Sequence, residues 1–183
     1  MTMSEQALSE TIDASSKYED SLPISSGEML AILDDKGIGY ELHTHPPLRT
    51  VEDSQSLRGQ IEGAHIKNLY LRDGKKRNYL VVAAEDKAID LKQLGADIGA
   101  GRLSFGSADR LMQFLGVRPG AVSPLTLTND QDNNVTLVLD RNLMTAEKIN
   151  VHPLVNDKTI TLKMTDFLQY LECTGHSEHK ILI

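Results

Sequence analysis

The chain has 183 residues, of which 40% are hydrophobic, and a formal net charge of −7. This length and apolar content can form one sizeable core, and the negative charge argues against sequence-independent binding to duplex DNA. The longest purely apolar run, residues 79–84, is too short to span a bilayer, and the single cysteine, Cys173, fits a reducing compartment. We therefore expect a cytoplasmic protein with no membrane partner.

The N-terminal residues differ from the rest of the chain in composition. They are rich in Ser, Glu, Asp and Thr, show no sustained periodicity, and lack the basic start and apolar stretch of a secretory signal. We predict a flexible leader over residues 1–24, one folded domain over residues 25–176 and a short tail over residues 177–183.

The first half of the domain predicts helices and a hairpin. A capping box at Ser25 begins a helix over residues 26–36, and a strand then runs from Ile38 towards Pro46. A second, short helix is predicted over residues 50–61. Strands follow at about residues 65–72 and 78–84, joined by a turn at Asp73-Gly74.

The second half predicts short helices and further strands. Asp90 and Ser107 have the character of N-cap residues, with a short strand between the two helices at residues 103–105. Thr165 is predicted to cap a last helix that ends near Gly175. Further strands are predicted at about residues 125–128, 134–140, 148–151 and 159–163. Short strands outnumber crossover units, so we predict an α+β fold with a mixed, largely antiparallel or barrel-like sheet flanked by helices.

Lys67 and Asn68 stand side by side in an otherwise apolar strand. Because side chains alternate, Lys67 shares a face with Leu69 and Leu71, whereas Asn68 lies on the other face. An ammonium group on an apolar face is costly to desolvate unless it meets an anion or lines a wet cleft. Two interpretations stay open: a lysine that binds a ligand, or a lysine whose head group reaches water at the strand end.

Two further features invite a functional interpretation. His43 and His45 lie on one face of a strand, but no third ligand has metal-site spacing, so we predict neither a metal nor another cofactor. Gly120 allows a backbone amide to approach a ligand oxygen and Pro124 stiffens the same loop, although a plain connection is the alternative. The proline after His152 restricts the backbone there and fixes its direction.

Several ordered blocks resemble a known family: Gly63–Asp73, Tyr79–Ala83, Gly101–Ala108, Leu115–Pro124 and Val151–Asn156. With them the chain from about Ser26 to Gly175 resembles the freestanding relatives of the prolyl-tRNA synthetase editing domain, aminoacyl-tRNA deacylases that act in trans. The branch that clears alanine from mischarged tRNA for proline is the most similar, and its sibling that clears cysteine is less similar around Lys67.

The resemblance implies an enzyme that hydrolyses the ester of a mischarged aminoacyl-tRNA without a metal or a protein nucleophile. It assigns catalytic roles to Lys67, Gly120 and His152. Substrate-binding roles fall to Asn68, His45, Val122, Ser123 and Pro124. Its implied partners are the acceptor end of mischarged tRNA for proline and prolyl-tRNA synthetase. Four basic residues of the hairpin are expected to contact the acceptor stem, and a solvated turn is the alternative. They are Arg72, Lys75, Lys76 and Arg77.

Other functions remain open at this point. The substrate could be cysteinyl-tRNA for proline or another small aminoacyl-tRNA. An inactive module that binds tRNA or the synthetase is a second alternative, and intact Lys67 and residues 120–124 argue against it. A metal-dependent hydrolase built on His43 and His45 is a third, which insensitivity to chelators would remove.

Overall fold

The computed structural model describes residues 13–48, 53, 56, 60–177 and 179–182. Within them the chain forms one α+β domain with two β-sheets. The helices are α1 (Ser26–Asp35), α2 (Leu91–Ile98), α3 (Ala108–Leu115) and α4 (Met164–Thr174). The strands are β1 (Glu41–Thr44), β2 (Ile66–Asp73), β3 (Asn78–Ala84), β4 (Leu103–Phe105), β5 (Val135–Asp140), β6 (Lys148–Val151), β7 (Lys158–Lys163) and β8 (Lys180–Leu182).

The two sheets differ in size and in strand direction. The smaller has the order β1-β7-β6 and is antiparallel, and the larger has the order β4-β2-β3-β5-β8. In the larger sheet β2 pairs antiparallel with β3 and β4, whereas β5 is parallel to both β3 and β8. A β-bridge between Ala64 and Ile149 connects the segment before β2 to β6. The mixed sheet predicted from the sequence is therefore confirmed, and the start of β2 lies beside the smaller sheet.

Strand β2 separates two apolar clusters, as its alternation predicts. Tyr70 belongs to the main core, against which Ile66 packs. Leu71 belongs to a second cluster on the other face, and Leu69 packs against that one. Lys67 and Asn68 therefore lie on opposite sides of the larger sheet.

Three of the helix start signals in the sequence are confirmed. The Ser25 hydroxyl accepts from the Glu28 amide, and the Glu28 carboxylate accepts from the Ser25 amide, which completes the capping box of α1. Asp90 caps α2 and Ser107 caps α3 through their side chains. These caps satisfy amides that a helix cannot pair internally.

The described residues nearest to the two chain ends contact the domain. Residues 16–21 of the expected leader form a 3₁₀ turn, and Ala14 is buried in the main core. The Arg118 guanidinium fixes this segment by donating to the Asp13 carbonyl and the Ser21 hydroxyl. In the expected tail, β8 extends the larger sheet and buries Leu182. Residues 14–21 of the expected leader therefore contact the domain, and residues 1–12 lie outside the described residues.

Two local predictions in the second half are wrong. Residues 124–129 form a 3₁₀ helix rather than a strand, because Pro124 fixes the first φ and the Ser123 hydroxyl accepts from the Leu125 amide. The alternation of Leu125 and Leu127 is also typical of a strand, but both side chains are buried in the 3₁₀ helix. Helix α4 begins before Thr165, because the Met164 amide donates to the Glu147 carbonyl.

The helix predicted over residues 50–61 lies mostly outside the described residues, with Asp53 and Ser56 in helical conformation. Among the helices that the structure describes, none has the length and apolar character needed to cross a membrane.

Candidate active site

A small cavity opens between the two sheets, where the start of β2 approaches the end of β6 and the start of β7. Its volume is about 50 Å³. Segments far apart in the sequence supply its walls: Leu48, His65, Ile66, Asn68, Glu85, Asn150, Val151, His152 and Thr159. Asn68 and His152, which the sequence had singled out, are therefore brought together here.

Two buried polar atoms of the cavity wall lack a hydrogen-bond partner within the described part of the chain. They are Asn68 Oδ1 and His65 Nε2. Leaving such an atom unpaired costs on the order of 1–3 kcal/mol, so buried polar groups normally find a partner. Unpaired atoms in a cavity wall are typical of a site that water or a polar ligand fills.

His152 is held in one orientation at the edge of the smaller sheet. Its Nδ1 lies 2.8 Å from the Lys158 carbonyl oxygen, which can only accept, so Nδ1 carries the proton and the neutral ring keeps a lone pair on Nε2. Desolvation lowers the pKa of His152, the bond to Lys158 opposes that shift, and the nearby His45 imidazole reinforces it. The ring is therefore neutral near pH 7.

The loop at residues 120–124 supports His152 from behind. The Ser123 hydroxyl donates to the His152 carbonyl at 2.6 Å, and the Leu154 amide donates to the same oxygen. Leu154 has a φ of +69°, a strained conformation for a leucine. Gly120 has a φ of +99°, a backbone conformation that residues with a side chain rarely adopt. Ser123 and Pro124 are buried and Val122 is half-buried, but none of these three lines the cavity.

The predicted histidine pair stands beside the cavity rather than in its wall. The His45 Nε2 lies 2.8 Å from the Thr159 hydroxyl, and its ring centre is 6.3 Å from that of His152. His43 points to Thr161, with its Nε2 at 3.1 Å from the hydroxyl oxygen. Among the described residues no three His, Cys, Asp or Glu side chains are grouped to hold a metal ion.

Lys67 lies near the cavity but does not line it. Its ammonium group donates to the Lys87 carbonyl, in the turn that follows β3. Glu85, in the same turn, forms part of the cavity wall. The structure thus places Lys67 on the opposite face of β2 from Asn68, bonded to the turn that carries Glu85.

The basic residues predicted to contact the acceptor stem lie at the far end of the β2–β3 hairpin. At about 3.3 Å per residue, that turn is roughly 20 Å along the strand from Lys67. Arg77 forms an ion pair with Asp73 at 2.6 Å, and Arg72 donates to the Lys76 carbonyl and lies over the Phe114 ring. Lys75 and Lys76 are exposed.

Sequence reasoning missed several residues of the cavity wall. His65 lies in the Gly63–Asp73 block but was not predicted as a site residue. It precedes β2, so the alternation of side chains along the strand does not predict its direction. Asn150 and Thr159 come from the other sheet. No local pattern reports a contact between sheets, so only the tertiary structure could place these two beside Asn68.

Comparisons with known proteins identify the family of the chain. The family model for the aminoacyl-tRNA editing domain matches residues 45–170. The chain is 39% identical over 150 residues to the prolyl-tRNA editing protein ProX of Acetoanaerobium sticklandii, which covers 81% of this chain and 92% of that protein. It is 26% identical over 150 residues to the multifunctional Ser/Thr-tRNA deacylase ProXp-y of Escherichia coli K12, covering 80% of this chain and 87% of that protein.

A solved structure shares the fold. It is described as a candidate trans-editing enzyme for prolyl tRNA synthetase, and it superposes with a TM-score of 0.64 at 18% identity, covering 86% of this chain and 94% of the other. The family match spans well over half of the chain and includes the walls of the cavity from His65 to Thr159. The chain therefore belongs to the aminoacyl-tRNA editing domain family.

Proposed function

We propose that the chain hydrolyses the ester of alanyl-tRNA for proline in trans and spares prolyl-tRNA. The observation that carries this proposal is the small cavity of about 50 Å³ walled by Asn68 and His152. A cavity of this size suits a methyl side chain better than a pyrrolidine ring, so selection needs only steric exclusion of the larger group. The relatives named for prolyl-tRNA editing and for tRNA deacylation support the same reaction class.

In the proposed mechanism His152 orients the water that attacks the ester. A neutral imidazole with its Nδ1 proton committed to Lys158 presents Nε2 as an acceptor, which can hold the water and take its proton. An aminoacyl ester is already reactive, so water held against the carbonyl carbon supplies much of the rate.

The loop at residues 120–124 and the ammonium group of Lys67 complete the proposed site. The amides of Ala121 and Leu125 already donate within the protein, to the Arg118 carbonyl and the Ser123 hydroxyl. Stabilisation of the oxyanion is therefore assigned to the amides of Gly120, Val122 and Ser123, since Pro124 has no N–H. Lys67, outside the cavity, is assigned to a phosphate or ribose oxygen of the terminal nucleotide.

A deacylation panel tests this proposal. With tRNA for proline charged in turn with alanine, cysteine, serine and proline, we expect the alanyl ester to be hydrolysed fastest and the prolyl ester to remain intact. Cysteinyl- or seryl-tRNA cleaved much faster than alanyl-tRNA would assign the chain to another substrate class within the same family.

Hydrolysis is also expected to persist in EDTA, because the proposed mechanism uses a histidine, a lysine and backbone amides. The measurement is the single-turnover rate before and after chelation, together with the zinc content of the purified protein. Loss of activity with recovery on addition of zinc would replace this mechanism with a metal-dependent one.

A further inference from the structure

The turn after β3 connects Lys67 to the wall of the cavity. The Lys87 carbonyl accepts from the Lys67 ammonium, and Glu85 lines the cavity. The turn closes through the Lys87 amide, which donates to the Ala84 carbonyl, while the Glu85 amide donates to the His65 carbonyl. The positions of Lys67 and of the wall therefore depend on how these few residues are held.

A buried carboxylate, Asp140 at the end of β5, holds this turn. One of its oxygens accepts from the Ala84 amide at 3.0 Å, and the other accepts from the Asn142 amide at 3.0 Å and pairs with the Lys87 ammonium at 3.3 Å. Its side chain is fully buried. Burial alone would raise the pKa of Asp140, but the two amides and Lys87 more than offset this and lower it, so the group is ionised near pH 7.

We infer that Asp140 is a positioning residue for the hydrolysis, acting through the Lys87 turn on the Lys67 ammonium. This inference rests on the proposed function, because it gives Lys67 the role assigned there. Asp140 itself does not line the cavity. Its carboxylate fixes both ends of the turn, at the Ala84 amide and the Lys87 side chain, and so fixes the carbonyl to which Lys67 is bound.

The hairpin offers a matched control at its opposite end. Asp73 is also fully buried, accepts from the amides of Lys75 and Arg77, and pairs with the Arg77 guanidinium. Burial would raise the pKa of Asp73, and those hydrogen bonds lower it, as at Asp140. A role that is only structural predicts similar consequences when either carboxylate is replaced.

The test compares Asp140→Asn with Asp73→Asn in single-turnover hydrolysis of alanyl-tRNA for proline at saturating protein. The amide of asparagine cannot accept on both sides, so its NH₂ group meets either a backbone donor or the Lys87 ammonium. We expect the single-turnover rate constant to fall about tenfold or more in Asp140→Asn, since small displacements of a catalytic group are costly. The Kd for uncharged tRNA should not change. Asp73→Asn should keep the wild-type single-turnover rate constant, whatever its melting temperature.

A second readout does not depend on activity. In protein labelled with ¹³C-lysine, the Cε–H resonance of Lys67, assigned by its loss in Lys67→Ala, should shift in Asp140→Asn and stay in place in Asp73→Asn. Equal losses of the single-turnover rate in the two variants, or a Lys67 resonance unmoved by Asp140→Asn, would overturn the inference. Failure of the wild-type protein to hydrolyse alanyl-tRNA would instead reject the proposed function, and the resonance would still report whether Asp140 positions Lys67.

Discussion

Replacement of Lys67 by alanine is expected to lower the rate of alanyl-tRNA hydrolysis by about 10²- to 10³-fold, the usual cost of removing one group that stabilises the transition state. The fold should persist. Lys67 is half-buried and bonded to a backbone carbonyl rather than to a carboxylate, so its removal leaves no buried charge without its partner. The measurement is single-turnover hydrolysis together with a thermal melt.

Three further substitutions serve as comparisons for Lys67→Ala. Lys67→Arg should also be impaired, because a planar guanidinium cannot replace a compact ammonium in a tight site. Alanine at Lys75 or Lys76, both exposed in the hairpin turn, should mainly weaken tRNA binding and reduce its salt dependence. Near-normal hydrolysis by Lys67→Ala, or a collapse of its melting temperature, would make Lys67 a structural residue.

Replacement of His152 by alanine is expected to have the second large effect. Loss of the Nε2 acceptor should slow alanyl-tRNA hydrolysis by about 10²-fold, the lower end for general acid–base catalysis. Removal of the ring also enlarges the cavity, so the ratio of alanyl- to prolyl-tRNA hydrolysis should fall by about tenfold or more. Rates on the two substrates, measured separately, give both quantities.

The control for this variant is the same truncation at His43, which bonds to Thr161 and does not line the cavity. His43→Ala should leave the ratio of the two rates unchanged. A His152→Ala protein that discriminates as well as the wild type would remove His152 from the wall that excludes proline.

Local patterns in the sequence predicted most of the elements, because their causes are local. The β2–β3 hairpin follows from Asp73-Gly74 between apolar runs, and the capping box at Ser25 places the start of α1. Residues 125–128 were mistaken for a strand because Leu125 and Leu127 alternate, whereas Ser123 and Pro124 start a 3₁₀ helix.

The site was predictable only in part, for a physical reason. Alternation placed Lys67 and Asn68 on opposite faces of β2, and the clusters on those faces confirm it. The cavity itself forms where two sheets meet, so the contributions of Asn150 and Thr159 depend on long-range packing. The partners of Lys67 are equally non-local: the Lys87 carbonyl and, behind it, Asp140.

An internal competition tests the central claim most directly. Alanyl- and prolyl-tRNA for proline, carrying different radioactive labels, are mixed in equal amounts with the wild-type protein, and both esters are followed in the same reaction. The ratio of the two decay rates is the ratio of kcat/KM values. We predict that the alanyl ester disappears while the prolyl ester persists at its spontaneous rate. Equal decay of the two esters, or no decay beyond the spontaneous rate, would contradict the proposed function.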